Sequence, residues 1–465
     1  MSKLACFKTY DIRGRVDDTL DADIAYRIGR ATAEVLSVSA VVMGQDMRAS
    51  SPEFLMAAAA GVRDTGAKVF DIGLCGTEEV YFATDHLGAC AGMMVTASHN
   101  PIDYNGFKIV GRGARPLSDS DFREIECRAA TCDFAPGATG TGAHEHADPR
   151  AAYVSRVCSF VEAASIGPIH LVANAGNGAA GPTFDAVVEE LIARGARIKV
   201  TRKHHHPDPT FPNGIPNPLL PENQPATSRA VFDAQADLGV AWDGDFDRCF
   251  FFDENGHFIA GEFVVGLLAE AILETSPGAG IVYDPRVVWN TERIVRACGG
   301  QPIKSKTGHV LVKDTMRRSG AIYGGEMSAH HYFRDFMFCD SGMIPWVLLL
   351  ERLSASGQSL STLVADMRTR HPSSGEINFR VGNAGAVMDW LEKRYEDAAV
   401  GVDHLDGLSV EFDDWRFNIR ASNTEPLLRL NVETLGNPAL LKKRVNEVAK
   451  AVSIAAFWNE WSRVA

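Results

Sequence analysis

Apolar runs alternate with helical patterns along the first part of the chain. Residues 40–46 and 67–73 are typical of buried strands, and residues 52–65 between them are typical of a helix. A further apolar run, residues 92–95, leads into a polar turn. This alternation predicts an α/β fold with a parallel sheet. Ligands of such sheets usually bind at the carboxyl ends of the strands.

The alternation begins again at residues 169–174 and once more from residue 258. From residues 371–375 the pattern changes to mixed strands and helices, and it ends in an amphipathic helix over residues 438–458. Residues 131–148 show no periodicity and are rich in small residues, which indicates a loop near a domain boundary. The pattern predicts four domains, the last a smaller α+β domain, at residues 1–150, 151–256, 257–371 and 372–465.

The composition narrows the class of protein. The chain has 465 residues, of which 46% are hydrophobic and 23% charged, as is ordinary for a soluble globular enzyme. A formal net charge of −13 argues against nucleic-acid or anionic membrane partners, although a small anionic substrate can bind where Arg and Lys cluster. The sequence shows neither a leader-like start nor a run long enough for a membrane span, and its nine cysteines form no C-x-x-C pair. We expect a cytoplasmic protein with reduced thiols and no structural metal.

Ser98 is the candidate nucleophile. It lies in the turn of residues 96–101 (Thr-Ala-Ser-His-Asn-Pro), directly after an apolar run, with His99 beside it. A strand that ends in small polar residues and a proline leaves backbone donors free, and free N–H groups can surround a phosphate. The turn therefore suits a phosphorylated serine. A turn whose Ser and Asn only bond the local backbone is the alternative.

Alternating carboxylates supply a candidate metal site. Asp243, Asp245 and Asp247 lie between two apolar stretches, so a tight loop points their side chains into one space. Carboxylate oxygens suit Mg²⁺, with a phosphate oxygen completing its shell. An EF-hand fails because its sixth position, which should be Gly, is Arg248. A solvated acidic turn is the remaining alternative.

Two later stretches suit a sugar and a phosphate. Glu326, Ser328 and His330 lie in a glycine-led loop and form a hydrogen-bonding set for hydroxyls. Farther on, a guanidinium followed by hydroxyl and backbone donors matches a dianion. The candidate phosphate ligands are Arg420, Ser422, Asn423, Thr424 and Arg429. Spacing alone leaves open a buried strand turn for the first stretch and a polar hairpin for the second.

Two other motifs favour structural interpretations. The glycine-rich residues 175–182 match neither G-x-G-x-x-G nor a P-loop, so we interpret them as a strand-to-helix turn. His204, His205 and His206 resemble a metal-binding tract, but nearby prolines favour a solvated loop.

Taken in order, the stretches around Ser98, Asp243, Glu326 and Arg420 resemble those of the α-D-phosphohexomutases over essentially the whole chain. The resemblance implies three similar α/β mixed-sheet domains plus a smaller C-terminal α+β domain around a central cleft. The four domains would carry, in order, the phosphoserine loop, the metal loop, the sugar-binding loop and the phosphate-binding loop. Ala329 departs from the glycine often found in the sugar-binding loop. Further residues at positions that resemble the family's cleft residues are Tyr10, Arg13, His99, Lys108, Arg248, Arg286 and His309.

The resemblance also implies the reaction. Phosphorylated Ser98 passes its phosphoryl group to a hexose monophosphate, and the resulting hexose 1,6-bisphosphate returns the other phosphate. Mg²⁺ on Ser98 and the three aspartates neutralises charge, and Lys108, Arg13 and Arg248 screen the transferring group. The motifs Gly-Glu-Met-Ser and Arg-Ala-Ser-Asn-Thr resemble bacterial phosphomannomutases, which predicts mannose 1-phosphate for GDP-mannose and surface polysaccharide synthesis.

Other functions stay open at this point. They are a dual-specificity enzyme or one that is mainly a phosphoglucomutase, an inactive sugar-phosphate sensor, and a metal-dependent phosphatase. The expected partners are mannose and glucose phosphates, with no nucleic acid and no membrane, and the protein is expected to be a monomer or a homodimer.

Overall fold

The computed structural model describes residues 4–137, 141–421 and 427–461. Within these residues the chain divides into two compact units. The first unit comprises the residues up to Ile259 together with His330–Leu360. The second comprises Ala260–Ala329 and the residues from Ser361 onward. None of the helices in the described residues is long and apolar enough to cross a bilayer.

The first unit begins with a mixed sheet. Its strands lie in the order Ile12–Arg15, Tyr104–Gly111, Ala91–Val95, Ala40–Gln45, Lys68–Leu74 and His144–His146, and Arg115–Pro116 pairs with Tyr104–Gly111. The strands from Ala91–Val95 to His144–His146 run parallel, and Tyr104–Gly111 is antiparallel to both of its main neighbours. The helices are Ala22–Val35, Ser51–Arg63, Thr77–His86 and Asp119–Thr131.

A capping aspartate and one glycine define the start and the packing of the first helices. The side chain of Asp21 caps Ala22–Val35 by accepting from the N–H of Ile24. A Cβ on Gly29 would lie 2.1 Å from the carbonyl oxygen of Ala58, so this close approach to Ser51–Arg63 requires glycine. The helices cover a buried core that includes Met43.

A second sheet follows in the same unit. Its strands lie in the order Phe258–Ile259, Cys249–Phe252, Leu238–Trp242, Ile169–Asn174 and Ile198–Lys203. The last three strands run parallel to one another, and Cys249–Phe252 is antiparallel to both of its neighbours. The helices are Arg150–Cys158, Ala180–Ala193 and Pro225–Ala234. The unit also contains the antiparallel pair His331–Phe333 and Cys339–Asp340 and the helix Ile344–Ser356.

The second unit contains one set of parallel strands and one antiparallel sheet. Gly280–Tyr283 lies between Gln301–Lys304 and Tyr323–Gly325, all parallel. The helices with them are Gly261–Thr275, Trp289–Ala297, His309–Ser319 and Leu360–Arg370. The antiparallel strands lie in the order Ile377–Arg380, Leu427–Thr434, Trp415–Ala421, Leu408–Glu411 and Gly401–Asp403, with helices Ala384–Tyr395 and Pro438–Trp461. Short 3-10 helices occur at Arg112–Ala114, Ala163–Ser165, Pro221–Asn223 and Glu396–Ala398.

Three local predictions were wrong. The Arg-Gly end of the short strand-like stretch before residue 14 predicts a loop at Arg13, but Arg13 lies in the strand Ile12–Arg15. Residues 131–148, expected to be a loop, include the strand His144–His146, because a short edge strand needs no periodicity of its own to pair with Lys68–Leu74. His205, expected in solvent, is buried, and its Nε2 lies 2.8 Å from Asp185 Oδ2.

Candidate active site

Ser98 lies just beyond a fully buried strand, Ala91–Val95. Its φ of 49° is left-handed, which is uncommon for a residue other than glycine and is typical of strained functional turns. The N–H of Ser98 donates to Thr96 Oγ1 at 2.8 Å, and that of Asn100 to the carbonyl of Ala97 at 2.9 Å. The expectation of free backbone donors at this tip is therefore wrong for these two amides.

Arg48, which was not predicted from the sequence, holds the turn by hydrogen bonds to its carbonyls. Its guanidinium donates to the carbonyls of Ser98 at 2.9 Å and Asn100 at 2.7 Å, and to those of Pro101 and Tyr104 at 2.8 and 2.9 Å. The side chain is buried beside Asp46, whose Oδ2 accepts from Thr96 Oγ1 at 2.7 Å. A signal was present, since Asp46 and Arg48 follow the strand next to the one that leads to Ser98.

The aspartate loop contacts Ser98 directly. The Ser98 hydroxyl donates to Asp243 Oδ2 at 2.8 Å, and the two groups are buried. A Cβ on Gly244 would lie 2.7 Å from the Ser98 carbonyl oxygen, so the close approach of the two loops requires glycine there. The structure thus brings together two predicted loops that are far apart in sequence.

Each of the three aspartates uses one oxygen on protein partners and leaves the other unused. The Oδ2 atoms of Asp243, Asp245 and Asp247 accept hydrogen bonds, whereas their Oδ1 atoms are buried with no hydrogen-bond partner among the described residues. Ligand oxygens of the three residues lie within 4.8 Å of one another. Buried carboxylate oxygens without partners are costly, and a hard cation is the group that would satisfy them.

Lys108 bridges two of these carboxylates. Its ammonium donates to Asp245 Oδ2 at 2.7 Å and also to Asp247 Oδ2. Thr77 Oγ1 donates to the same oxygen of Asp245 at 2.6 Å. This lysine therefore supplies a positive charge that offsets part of the repulsion between the aspartates, even without a metal ion.

The buried charges shift one another's pKa values. Burial alone would lower the pKa of Lys108, but Asp245 and Asp247 raise it well above its ordinary value. The side chain is therefore protonated and carries a positive charge. Burial alone would raise the pKa of Asp245, but Lys108 and Arg13 hold it below its usual range. The pKa of Asp247 is raised by burial and by the Asp245 carboxylate, with Lys108 opposing.

Arg248 joins Asp243 to His99. Its Nε donates to Asp243 Oδ2 at 2.9 Å, and its Nη2 donates to His99 Nδ1 at 2.6 Å. The pKa of His99 lies below its ordinary value because the surrounding protein desolvates the ring and because Arg248 and Arg13 add positive charge, although part of the residue faces solvent. Since Nδ1 accepts from a guanidinium, the neutral ring carries its proton on Nε2.

Three more predicted residues belong to the first unit. His330, expected with the sugar-binding loop, lies with its Nδ1 3.0 Å from Asp340 Oδ2 and 4.0 Å from Asp247 Oδ1. Arg13 contacts Asp11 at 3.3 Å. Tyr10 lies in the bend that precedes the strand Ile12–Arg15.

A second group of predicted residues lies in the second unit around Arg286. Its guanidinium contacts Asp284 twice, at 3.0 and 2.8 Å, and donates to Ser328 Oγ at 3.3 Å. Glu326 Oε1 lies 3.7 Å from Arg286 and accepts from the N–H of Gly308 at 2.9 Å. His309 follows Gly308 as the first residue of the helix His309–Ser319. Asp284, missed from the sequence, thus orients Arg286.

Arg420 and Arg429 lie opposite each other on neighbouring strands of the antiparallel sheet. The carboxylate of Glu376, also missed from the sequence, lies 3.9 Å from Arg420 and 3.4 Å from Arg429. Burial lowers the pKa of Arg420, and Arg286 lowers it further. The other predicted phosphate ligands, Ser422, Asn423 and Thr424, lie outside the described residues.

The fold and the two residue groups define a multidomain α/β protein with a serine–aspartate centre in one unit and an arginine cluster in the other. Four family models match successive parts of the chain: the phosphoglucomutase/phosphomannomutase alpha/beta/alpha domains I, II and III at residues 5–136, 151–256 and 260–371, and the C-terminal domain at 376–451. The chain therefore belongs to the phosphoglucomutase/phosphomannomutase family. The predicted resemblance and the α/β fold class are confirmed.

Curated relatives match over nearly their full lengths. A phosphomannomutase of Salmonella montevideo is 51% identical over 455 residues, which is 97% of this chain and 100% of that protein. A protein of Xanthomonas campestris pv. campestris named phosphohexose mutases is 52% identical over 447 residues, 96% of this chain and 98% of its own. A crystal structure of a phosphoglucomutase/phosphomannomutase family protein from Burkholderia thailandensis superposes with a TM-score of 0.87, 34% identity and 98% coverage of each chain.

Proposed function

We propose that this protein is a phosphomannomutase that interconverts mannose 6-phosphate and mannose 1-phosphate through phosphorylated Ser98 and a hexose 1,6-bisphosphate. The relatives named phosphomannomutase, at 51% identity over nearly the full chain, support the assignment. The observation that carries it is the hydrogen bond from Ser98 to Asp243, beside three buried Oδ1 atoms that lack partners among the described residues.

Ser98 is the proposed phosphoryl carrier. A substrate hydroxyl oxygen forms a bond to phosphorus as the bond between phosphorus and Ser98 Oγ breaks, and the hydroxyl proton passes to the freed serine oxygen. In the second half-reaction Ser98 Oγ takes the other phosphoryl group of the bisphosphate, and the sugar oxygen that loses it takes the proton. Lys108 and Arg248 are charged and buried against the aspartates of the loop that contacts Ser98, so they screen the transferring group and orient it. Arg13 adds further positive charge to the site, and His99, held by Arg248, lies with its Nδ1 3.1 Å from Ser98 Oγ.

The donor set fits Mg²⁺. The ligands would be Ser98, once phosphorylated, and Asp243, Asp245 and Asp247, which offer hard oxygens in one small volume. When bound, the ion supplies charge neutralisation to the transferring group. The protein residues around it already fix the orientation of each carboxylate through its Oδ2.

The remaining predicted residues are proposed to bind the hexose phosphate. Glu326 and Ser328 accept from and donate to sugar hydroxyls, with Arg286 fixing them. The phosphate that does not react is bound by guanidinium and hydroxyl donors. The proposed ligands of the sugar are Tyr10, Arg286, His309, Glu326, Ser328 and His330, and those of the phosphate are Arg420, Ser422, Asn423, Thr424 and Arg429.

The reorientation of the bisphosphate limits sugar specificity. Turning it by half a turn roughly exchanges O3 and O4, which are equatorial in both glucose and mannose, so Glu326 and Ser328 can hold only these two hydroxyls in both orientations. The C2 epimers are then distinguished by weak contacts worth about 1–3 kcal/mol. We therefore expect phosphoglucomutase activity beside the phosphomannomutase activity.

A coupled assay tests the function. It compares mannose 1-phosphate with glucose 1-phosphate in the presence of a catalytic amount of bisphosphate, and the Glu326→Ala variant should lose both activities. A preference for one sugar beyond roughly ten-thousand-fold would overturn this account of specificity. Release of free phosphate without isomerisation would identify a phosphatase instead, and binding without turnover would identify a sensor.

Several finer proposals depend on the sequence interpretation alone. The product would supply GDP-mannose for surface polysaccharides. The enzyme would act in the cytoplasm as a monomer or homodimer. The domain boundaries at residues 150, 256 and 371 also stay predictions.

A further inference from the structure

The antiparallel sheet of the second unit has an apolar face and a charged face. Trp415, Phe417 and Ile419 belong to the core formed with the two helices of this layer. Because side chains alternate along a strand, Arg420 leaves the sheet on the opposite face. Arg429 lies directly across from Arg420 and shares that face. Two like charges in this position repel, so the arrangement needs a negative group between or beside them.

Glu376 is one such negative group, and Asp406 is another that acts on Arg420. It directly precedes the strand Ile377–Arg380, in which Asn378 pairs with Arg429, so Glu376 lies two residues away on the same face. Its Oε1 lies 3.4 Å from Arg429 Nη1, and its Oε2 lies 3.9 Å from Arg420 Nη2 and 3.7 Å from Arg286 Nη1. We call Arg286, Arg420 and Arg429 the arginine triad.

The contacts of Glu376 with the arginine triad are loose. Asp284, by contrast, contacts Arg286 at 3.0 and 2.8 Å in a two-point hydrogen-bonded pair. Arg420 is 6% exposed, and its Nε has no hydrogen-bond partner among the described residues. Glu376 thus offsets the charge of Arg420 at a distance longer than a hydrogen bond, which leaves Arg420 able to bind a better anion.

We propose that Glu376 is a built-in competitor for the substrate phosphate at the arginine triad. The inference rests on the proposed function, in which Arg420 and Arg429 of this triad bind the phosphate that does not react and Arg286 binds the sugar. Without ligand, the carboxylate offsets the triad's charge. A phosphate dianion, with more oxygens and more charge, displaces the carboxylate and takes over the guanidinium donors.

Such a competitor suits a reaction that must exchange phosphates at one place. In each cycle the triad releases one phosphate of the bisphosphate and captures the other. Binding energy that held the first phosphate equally in the ground state and the transition state would not speed the chemical step and would slow this exchange. The free energy of breaking the Glu376 ion pairs subtracts from phosphate affinity and keeps the exchange fast.

The test is calorimetric binding of inorganic phosphate and of glucose 6-phosphate to the full-length protein. Glu376→Gln keeps the side-chain shape and removes the charge, and it should bind both probes roughly tenfold more tightly, equivalent to about 1.4 kcal/mol. Its KM should fall and its kcat should fall with it, because phosphate exchange slows. Glu392→Gln, on the helix Ala384–Tyr395 that packs on the apolar face, changes net charge equally and should bind as the wild type does.

A purely structural role for Glu376 predicts the opposite result. If the carboxylate only holds the arginines in place, Glu376→Gln weakens phosphate binding, and that outcome, or an unchanged affinity, overturns the proposal. Should Glu376→Gln fail to fold, Glu376→Asp withdraws the carboxylate by one methylene and should tighten binding about two- to threefold, less than full charge removal. Binding is measured without turnover, so an inactive wild type refutes the proposed function alone, whereas unchanged affinity in an active enzyme refutes the competitor alone.

Discussion

The hydroxyl of Ser98 and the Oδ2 atom of Asp243 lie 2.8 Å apart, although 145 positions separate the residues in sequence. The same oxygen accepts from Arg248 Nε at 2.9 Å. The serine is thus aligned by a carboxylate that is itself fixed by a guanidinium. The consequences of this alignment and of the groups around it can be tested separately.

Replacing Ser98 by alanine should reduce turnover at least a thousandfold, roughly the loss seen when a nucleophile is removed. The melting temperature should stay close to that of the wild type, because Arg48 holds the turn through carbonyls and not through the hydroxyl. Intact mass spectrometry should find one phosphate on the wild type and none on the variant. Wild-type turnover by Ser98→Ala would refute the nucleophile.

Replacing Asp245 by asparagine should weaken Mg²⁺ binding and activity together, since one of three anionic ligands is lost. Titration of Mg²⁺ into EDTA-treated protein, followed by calorimetry and by activity, measures both effects. Asp233→Asn, at an exposed position, is the matched control. Full activity of the wild type after thorough chelation would rule out the metal role.

Replacing Arg48 by lysine should lower kcat about 10- to 100-fold with a smaller change in Mg²⁺ affinity. A single ammonium cannot reproduce the fork that reaches the carbonyls of Ser98, Asn100, Pro101 and Tyr104. Carbonyls left without donors should also lower the free energy of unfolding by roughly 2 kcal/mol. A variant with lower stability and unchanged kcat would show that Arg48 only stabilises the fold.

Replacing Arg420 by alanine should raise KM for mannose and glucose phosphates by a similar factor. The phosphate that does not react is common to both substrates and carries no information about the sugar. Steady-state kinetics with each sugar measures the two ratios, and Arg394→Ala, on the helix Ala384–Tyr395, is the control. An effect confined to one sugar is incompatible with a phosphate ligand.

Acid should destabilise the second unit through His371. Burial, with Arg293 and Arg370 nearby, lowers the pKa of this residue from 6.5 to about 4. Between these values the unfolded chain binds a proton that the folded protein does not. The contribution of His371 to the free energy of unfolding is therefore fully present above pH 6.5. It falls by about 1.4 kcal/mol per pH unit as the pH drops toward 4.

Melting temperatures measured from pH 8 to pH 4 check this titration. His371→Gln cannot titrate, so its melting temperature should fall less steeply below pH 6.5 than that of the wild type. Parallel curves for the two proteins over the whole range would show that His371 does not contribute.

The sequence predicted the site well where the functional residues are close together in a local motif. The alternating carboxylates of Asp243, Asp245 and Asp247 and the turn at Ser98 each carry a local pattern, and the structure brings them into contact. The apolar runs likewise predicted strands and helices to within a few residues, as for residues 52–65 and the observed helix Ser51–Arg63.

The sequence contains no local motif where a residue acts through tertiary contacts. Arg48 bonds to carbonyls about fifty residues away, and Glu376 meets arginines on other strands, so neither lies in a recognisable motif. The pairing of Lys108 with Asp245 spans 137 positions. Such partners depend on strand register and burial, which single-sequence patterns do not specify.

The lysine bridge has a consequence for the life of the protein in a cell. Because Lys108 acts as an internal counter-ion for Asp245 and Asp247, we expect the first unit to fold without a metal, unlike small domains that unfold when their ion is removed. Depletion of magnesium should then silence the enzyme without exposing it to proteases. We expect the metal-free protein to stay folded, so that activity returns when magnesium is added back, without new synthesis.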